Sequence, residues 1–168
     1  MVNNEARIHY WLPLETCYLA GIFDSDGSCS ISKHTRKDRR RGYDFRVYVQ
    51  LTWRETRHTR RVLQEIRSAY GGSVFTGLTK GGYSTGSRYV KYVANAKNAA
   101  KLLEDILPYL RIKYKQAEIC YRLAAQARAG QFNRWHPHSK QDWRRLEAAY
   151  NTVRRLNWKN GKGNFIAR

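Results

Sequence analysis

Two kinds of apolar periodicity follow each other along the chain and predict its helices and strands. Residues 14–24 come directly after Pro13 and contain no helix breaker except Gly21, so they predict a helix that begins at the proline. In residues 28–32, and again in residues 45–53, apolar and polar side chains alternate. This period of two predicts a pair of strands, joined by the polar segment RKDRRRGYD.

The second half of the chain repeats this order of elements. A helix is predicted over residues 56–69, followed by a further pair of strands over residues 73–77 and 88–94. Two more helices are predicted over residues 97–107 and 112–128, and Ser139 can cap a last, basic helix. The order α-β-β-α-β-β-α, followed by an extra C-terminal helix, predicts an α+β fold. Its four-stranded antiparallel sheet would carry helices on one face and leave the other face open.

The charge of the chain indicates what this open face is for. The 168 residues include 32 Lys and Arg against 13 Asp and Glu, which gives a formal net charge of +19. An excess of this size repels itself unless a polyanion neutralises it. Nucleic acid is therefore the first candidate partner, and an anionic membrane surface is the second.

The sequence also indicates the compartment. The three cysteines are widely spaced without a C-x-x-C, which disfavours a disulfide framework or a zinc ribbon and suits a reducing environment. The N-terminal residues lack the apolar stretch of a signal peptide, and no apolar run approaches the roughly 18 residues of a membrane span. We therefore expect an intracellular protein, in the cytoplasm, nucleoid or an organelle, with no part in a membrane.

The segment LAGIFDSDG joins an apolar helix to a pair of acids. Residues 18–23 are apolar around the whole helix, whereas a surface helix has one polar side. One face can pack on the sheet, and the other needs a second apolar surface, which small residues would allow to approach closely. We therefore expect the same helix of a second subunit to pack there about a two-fold axis. The expected interface residues are Leu19, Ala20, Gly21 and Asp24.

The two acids, Asp24 and Asp26, lie at the predicted C-terminal end of this helix, where the helix dipole disfavours carboxylates. Across a two-fold axis the two copies of Asp26 would also approach each other, and divalent cations bound through oxygen would compensate their charge. Such a centre beneath a basic surface suits phosphodiester hydrolysis. A simple helix-ending turn is the alternative. An EF-hand loop is excluded, because its sixth and twelfth positions would be Cys29 and Thr35.

LAGIFDSDG resembles the signature of the LAGLIDADG homing endonucleases, which it matches at Leu19, Ala20, Gly21, Asp24, Asp26 and Gly27. The similarity extends through the α-β-β-α-β-β-α order to about residue 128. It includes the segment LPYLRIKYKQA, residues 107–117, which is similar to a stretch of the single-motif members. The resemblance implies a saddle-shaped sheet over DNA and a homodimer.

The resemblance also implies roles for individual residues. Asp26 would be the catalytic, metal-binding carboxylate, and the carbonyl of Ser25 would join the ligands of the metal. Asp24 would be more structural and satisfy backbone donors near the helix ends, while Lys113 would lie near the scissile phosphate. The metal would be Mg²⁺ or another divalent cation such as Mn²⁺, and Ca²⁺ would bind without supporting cleavage.

The chain departs from the family pattern at one position. Some relatives place a water-positioning glutamine at the end of the second strand, where this chain has Trp53. Trp53 alternates with the inward-facing residues, so we expect it in the core. Arg54 or Arg57 could serve at the active site instead.

The open sheet face is the expected DNA-binding surface, because a two-stranded β-ribbon fits the major groove, where Arg pairs with guanine and Gln with adenine. The outward positions of the first two strands are Ser28, Ser30, Ser32, His34, Arg46, Tyr48 and Gln50. Basic residues of the connecting hairpin, which can follow phosphates or reach outer bases, are Arg36, Lys37, Arg39, Arg40 and Arg41. The facing of the third and fourth strands is ambiguous, and Arg88 is the expected DNA contact of the fourth.

Together these features predict a homodimeric, divalent-metal-dependent endonuclease that cuts both strands of a long, pseudo-palindromic DNA target. Residues 1–130 would form the LAGLIDADG core, and residues 131–168 a basic helix and tail packed on or flanking the same domain. Two alternatives are an RNA-binding maturase on the same fold, which assists intron splicing, and a non-catalytic DNA-binding regulator whose motif helix only dimerises. The presence of both Asp26 and Lys113 favours the enzyme.

Overall fold

The computed structural model of the chain describes residues 13–37, 42–80, 85–129 and 139–157. Its elements, in chain order, are α1 (Pro13–Asp26), β1 (Gly27–Thr35), β2 (Tyr43–Arg54), α2 (Arg57–Tyr70), β3 (Ser73–Leu78), β4 (Arg88–Asn95), α3 (Ala96–Ile106), a 3₁₀ turn (Leu107–Tyr109), α4 (Tyr114–Arg128) and α5 (Lys140–Asn157). The predicted order of helices and strands is confirmed, and the strands are longer than the alternation alone indicated.

The four strands form one antiparallel sheet in the order β1-β2-β4-β3. The strand register places Leu51 of β2 opposite Tyr92 of β4, and both side chains are buried. The helices cover this side of the sheet, and their apolar side chains, among them Leu63, Leu102 and Ile106, complete the core. The predicted α+β architecture, with helices on one face, is therefore confirmed.

The last helix, α5, packs on the same layer. Ser139 caps it: the Ser139 hydroxyl accepts from the Asp142 amide (3.1 Å), while the Asp142 carboxylate accepts from the Ser139 amide (2.9 Å). The ring of Trp143 contacts Phe45 of β2, and Val153 is buried in the core. α5 thus covers the inner side of the β1–β2 hairpin, next to α4.

None of the helices in the described ranges combines the length and the apolarity that crossing a membrane requires.

Candidate functional site

The candidate site begins at the junction of α1 and β1. Asp26 is the last residue of α1, and Gly27 is the first residue of β1. A Cβ on Gly27 would lie 2.4 Å from the ring of Phe23, so only glycine allows the chain to turn from helix to strand against this buried side chain. The turn leaves the carboxylate of Asp26 exposed at the end of the helix.

Trp53 contacts this carboxylate from β2. Its indole Nε1–H donates a hydrogen bond to Oδ2 of Asp26, with 2.9 Å between the two atoms. The ring packs against the core and is partly buried, as its inward-facing position predicted. The contact with Asp26 was missed. Alternation gives the side of the sheet on which a residue lies, but not whether a long side chain near a strand end reaches past the core edge.

Lys113 contacts the same helix end. Its ammonium Nζ donates to the carbonyl oxygens of Ser25 (2.8 Å) and Phe23 (3.2 Å). These carbonyls belong to the last turn of α1, which has no partner for them within the helix, and the ammonium complements the negative end of the helix dipole. The structure therefore brings together the three groups predicted for catalysis and metal binding: the Asp26 carboxylate, the Ser25 carbonyl and Lys113.

Asp24 fixes the position of Lys113. Its carboxylate accepts hydrogen bonds from the backbone amides of Arg111 (2.7 Å), Ile112 (3.2 Å) and Lys113 (2.9 Å), just before α4 begins. Partial burial alone would raise the pKa of Asp24. The three amides and the nearby Lys113 ammonium outweigh this effect, so the pKa lies below its usual value. Asp24 therefore ties the end of α1 to the start of α4 as a carboxylate.

The predicted DNA-binding residues of β1 and β2 share one face of the sheet. The register pairs Ser28 with Gln50, Ser30 with Tyr48, and Ser32 with Arg46. On the same face, the hydroxyl of Tyr48 lies 3.1 Å from Nε2 of His34. The opposite side chains of both strands face the core, so these polar groups line the open surface.

The hairpin between β1 and β2 is described in part. Arg36 donates its backbone N–H to the carbonyl of Gly42 (2.8 Å), and Lys37 is exposed. Arg39, Arg40 and Arg41 lie outside the described residues.

The strand register resolves the facing of β4, and it does not place Arg88 among the outward residues that are expected to meet DNA. Arg88 has the same parity as the buried Val90 and Tyr92, so it does not lie on the open face. Its Nε instead donates to Oε2 of Glu55 (2.9 Å). The outward residues of β4 are Tyr89, Lys91 and Val93. The neighbouring outward position of β3 is Phe75, which is paired with Lys91 and is 54% exposed.

The outer face of α1 differs from the predicted interface. Leu19 and Ala20 are buried within their own chain, 1% and 0% exposed, so the prediction that their side chains meet a second subunit is wrong. Gly21 does lie on the exposed face, and a Cβ there would have no atom of the chain within 4 Å. Tyr18, one turn earlier in α1, is 67% exposed, and Ile112, whose amide donates to Asp24, is 76% exposed.

The donor atoms at the end of α1 define what the site could hold. Across the described ranges, no group of three or more His, Cys, Asp or Glu side chains could hold a metal ion. A cation at this site would therefore take the Asp26 carboxylate and the Ser25 carbonyl from one chain and need further oxygen ligands from outside it.

Comparison with known proteins places this geometry in context. The family model of the LAGLIDADG endonuclease matches residues 19–122, which is more than half of the chain. No curated protein matches the chain.

Several solved structures share the fold. The homing endonuclease I-CvuI, in complex with the I-CreI target, is 23% identical with a TM-score of 0.62, and the match covers 88% of this chain and 85% of that chain. The archaeal intron-encoded homing endonuclease I-Vdi141I, complexed with DNA, is 20% identical with a TM-score of 0.66. This match covers 88% of this chain and 86% of that chain. The meganuclease I-SmaMI is 16% identical with a TM-score of 0.54, and the match covers 89% of this chain but 45% of that chain.

Proposed function

Because the chain belongs to the LAGLIDADG endonuclease family, we propose that it is a homing endonuclease that makes metal-dependent double-strand cuts in a long, pseudo-palindromic DNA target. The observation that carries the proposal is the grouping of Asp26, the Ser25 carbonyl and Lys113 at one helix end. A carboxylate and a carbonyl that can hold a cation, next to a positioned ammonium, are groups that phosphodiester hydrolysis uses.

The donor atoms fit a hard divalent cation. Asp26 offers an exposed carboxylate and Ser25 a main-chain carbonyl, and oxygen ligands of these kinds suit Mg²⁺, Mn²⁺ and Ca²⁺. When bound, such a cation supplies an activated water and stabilises charge on the leaving oxygen. The I-CvuI complexes were obtained in the presence of Mg in one case and of Ca in the other. We expect Mg²⁺ or Mn²⁺ to support cleavage here and Ca²⁺ to bind without supporting it.

The residues of this chain prepare the site before DNA arrives. Asp26 holds a negative charge at the helix end, and the indole of Trp53 restrains its orientation. The ammonium of Lys113 is held 2.8 Å from the Ser25 carbonyl, so a positive charge is already in place to stabilise the phosphate as negative charge develops on it.

A double-strand cut requires two such sites, which we assign to two copies of the chain. The exposed face of α1 around Gly21, together with Tyr18 and Ile112, is the surface on which the second copy packs. This chain spans 45% of the I-SmaMI chain, which is long enough for two copies of the fold, whereas it spans 85% of the I-CvuI chain. Two identical subunits about a two-fold axis would read a pseudo-palindromic target.

The open sheet face is the surface that reads the target. Cross-strand pairs such as Ser32 with Arg46 and Ser28 with Gln50 present short hydroxyl groups beside longer donors and acceptors. Arg and Gln can each make two hydrogen bonds to a base edge in the major groove. The net charge of +19 supplies the sequence-independent attraction to phosphates.

Cleavage of selected DNA tests this proposal. A duplex library with a randomised centre would be incubated with the protein and Mg²⁺, and the cut molecules sequenced. We expect a family of nearly palindromic sites, cut in both strands, and no cutting when the metal is chelated. Asp26→Asn should bind the selected duplex but cut it at least about 100-fold more slowly. Glu65→Gln, an exposed acid on α2, is the matched control and should cut normally.

Two results would contradict the proposal. Asp26→Asn cutting as fast as the parent would show that the site lies elsewhere. Tight binding of an intron RNA, with no cutting of any duplex in the library, would favour the maturase alternative.

A further inference from the structure

Trp53 is the side chain through which the sheet touches the acid of the candidate site. Its Nε1 lies 2.9 Å from Oδ2 of Asp26. Among the residues that the structure describes, Trp53 is the one that donates a hydrogen bond to the Asp26 carboxylate. Since Asp26 is exposed and ends its helix, little else among the described residues restrains the rotation of this side chain.

The position of the indole is itself well determined. Trp53 lies opposite Val90, which is fully buried in β4, and its ring packs against the core cluster. An indole N–H can only donate, so the contact has one polarity and depends on an oxygen of Asp26 that accepts. The sheet therefore holds a donor beside the end of α1, and the carboxylate of Asp26 accepts from it.

The chemistry of this donor suits a metal ligand. A Lys or Arg at the same place would add a positive charge and compete with a cation for Asp26. The indole is neutral, so it orients the carboxylate and leaves its negative charge available. The indole takes one lone pair of Oδ2, and the remaining lone pairs of the carboxylate stay available to a cation.

We propose that Trp53 is a positioning residue, which restrains the orientation of the Asp26 carboxylate that would hold the cation. The role rests on the proposed function, because it presupposes metal-dependent cleavage at Asp26. Groups that orient a metal ligand through a hydrogen bond typically change metal affinity or activity by about 10-fold to 100-fold when they are removed.

Two substitutions separate the hydrogen bond from the packing of the ring. Trp53→Phe keeps an aromatic ring against the core and removes the N–H. Trp53→Gln removes the ring and supplies an amide N–H. A purely structural role predicts that Trp53→Phe is the milder change, whereas a positioning role predicts that Trp53→Gln recovers part of the metal affinity that Trp53→Phe loses.

The measurement follows cation binding separately from cutting. The parent, both variants and the control Trp143→Phe would be bound to the selected duplex and titrated with Ca²⁺ by calorimetry. The Mg²⁺ dependence of single-turnover cleavage would be recorded in parallel, with melting temperature and metal-free duplex affinity as checks on folding. Trp143 packs against Phe45 on the far part of β2 and makes a matched Trp-to-Phe change away from Asp26.

We expect Trp53→Phe to lower the Ca²⁺ affinity about 10-fold and to raise the half-saturating Mg²⁺ concentration by a similar factor, with duplex affinity unchanged. Trp53→Gln should fall between Trp53→Phe and the parent in both measurements, and Trp143→Phe should match the parent. Unchanged Ca²⁺ and Mg²⁺ dependence in Trp53→Phe, with a parent that still cuts, would overturn the positioning role and leave the endonuclease proposal standing. A parent that neither binds Ca²⁺ nor cuts would overturn both.

Discussion

The backbone amide of Lys113 donates a hydrogen bond to Oδ1 of Asp24 across 2.9 Å, although 89 residues separate the two in sequence. This contact joins the negative end of α1 to the positive end of α4. It also delivers the Lys113 ammonium to the carbonyl of Ser25, one residue before Asp26. The candidate site is therefore assembled where two helix ends with opposite partial charges meet.

Replacing Lys113 tests whether its charge serves cleavage or only caps α1. Lys113→Met keeps the length of the side chain and removes the donor to Phe23 and Ser25. We expect the cutting rate of the selected duplex to fall about 100-fold to 1,000-fold, since a positioned charge at the reacting phosphate is lost. Single-turnover cleavage measures this rate. Lys115→Met, at an exposed position of α4, is the control. Equal rates for Lys113→Met and the parent would limit Lys113 to capping.

The pKa of Asp24 predicts an acid-sensitive contribution to stability. The pKa of Asp24 is lowered in the folded chain. Such a carboxyl stabilises the fold above its unfolded pKa of about 3.9, and this contribution is lost as the pH falls through the lower folded value. Asp24→Asn should therefore lower the free energy of unfolding by about 1–3 kcal/mol at pH 7, allowing for its partial exposure. The difference from the parent should shrink below about pH 4.

Urea unfolding at several pH values measures this difference. Glu65→Gln removes another acid, which makes an exposed contact with Arg61, and should show little loss at any pH. A deficit for Asp24→Asn that stays constant from pH 7 to pH 3 would contradict the assigned cause.

The sequence predicted the framework of the site because that framework depends on local patterns. The apolar run before Asp26 required a helix, and the change to a period of two after Gly27 required a strand, so the acids had to lie at their junction. The open face followed from alternation in β1 and β2, because every second residue of a strand points to the same side.

The predictions that the structure did not support concern contacts between segments that are distant in sequence. Leu19 and Ala20 were assigned to an interface because the helix is apolar all around, but which side meets the chain's own core is set by packing on α3 and the sheet. Arg88 sits at the start of β4, where a shift of one residue reverses the facing, and the register with β2 decides it. The hydrogen bond from Trp53 to Asp26 likewise could not be predicted, because it depends on the distance between β2 and the end of α1.

The corrected facing of β4 gives a paired prediction for DNA affinity. Lys91 lies on the open face between Thr52 and Phe75, whereas Arg88 is held by Glu55, whose pKa is lowered by Arg88 and by Arg60. Lys91→Ala should weaken binding and reduce the slope of log affinity against log salt by about 0.9, the effect of one lost phosphate contact. Arg88→Ala should leave this slope unchanged. Fluorescence anisotropy at several salt concentrations measures the slope for both variants. A smaller slope in Arg88→Ala than in Lys91→Ala would reject the assigned facing of β4.

The exposed position of Gly21 predicts a variant that separates folding from assembly. A Cβ at Gly21 meets no atom of its own chain within 4 Å, so Gly21→Leu should fold normally and even gain about 0.5–1 kcal/mol of helix stability. At the proposed interface the same leucine would hold the two helices apart. We expect a monomer by sedimentation velocity, with an undiminished melting temperature.

Loss of the dimer should also be visible on DNA. Each half of the target would then be bound separately, so affinity for the full site should fall at least about 100-fold, while affinity for an isolated half-site stays the same. Gln126→Leu places a leucine on an exposed position of α4 and should remain dimeric, because α4 meets no partner there in the proposed assembly. Since the chain itself accommodates the leucine, a Gly21→Leu protein that sediments as the parent does would place the subunit contact on a surface other than α1.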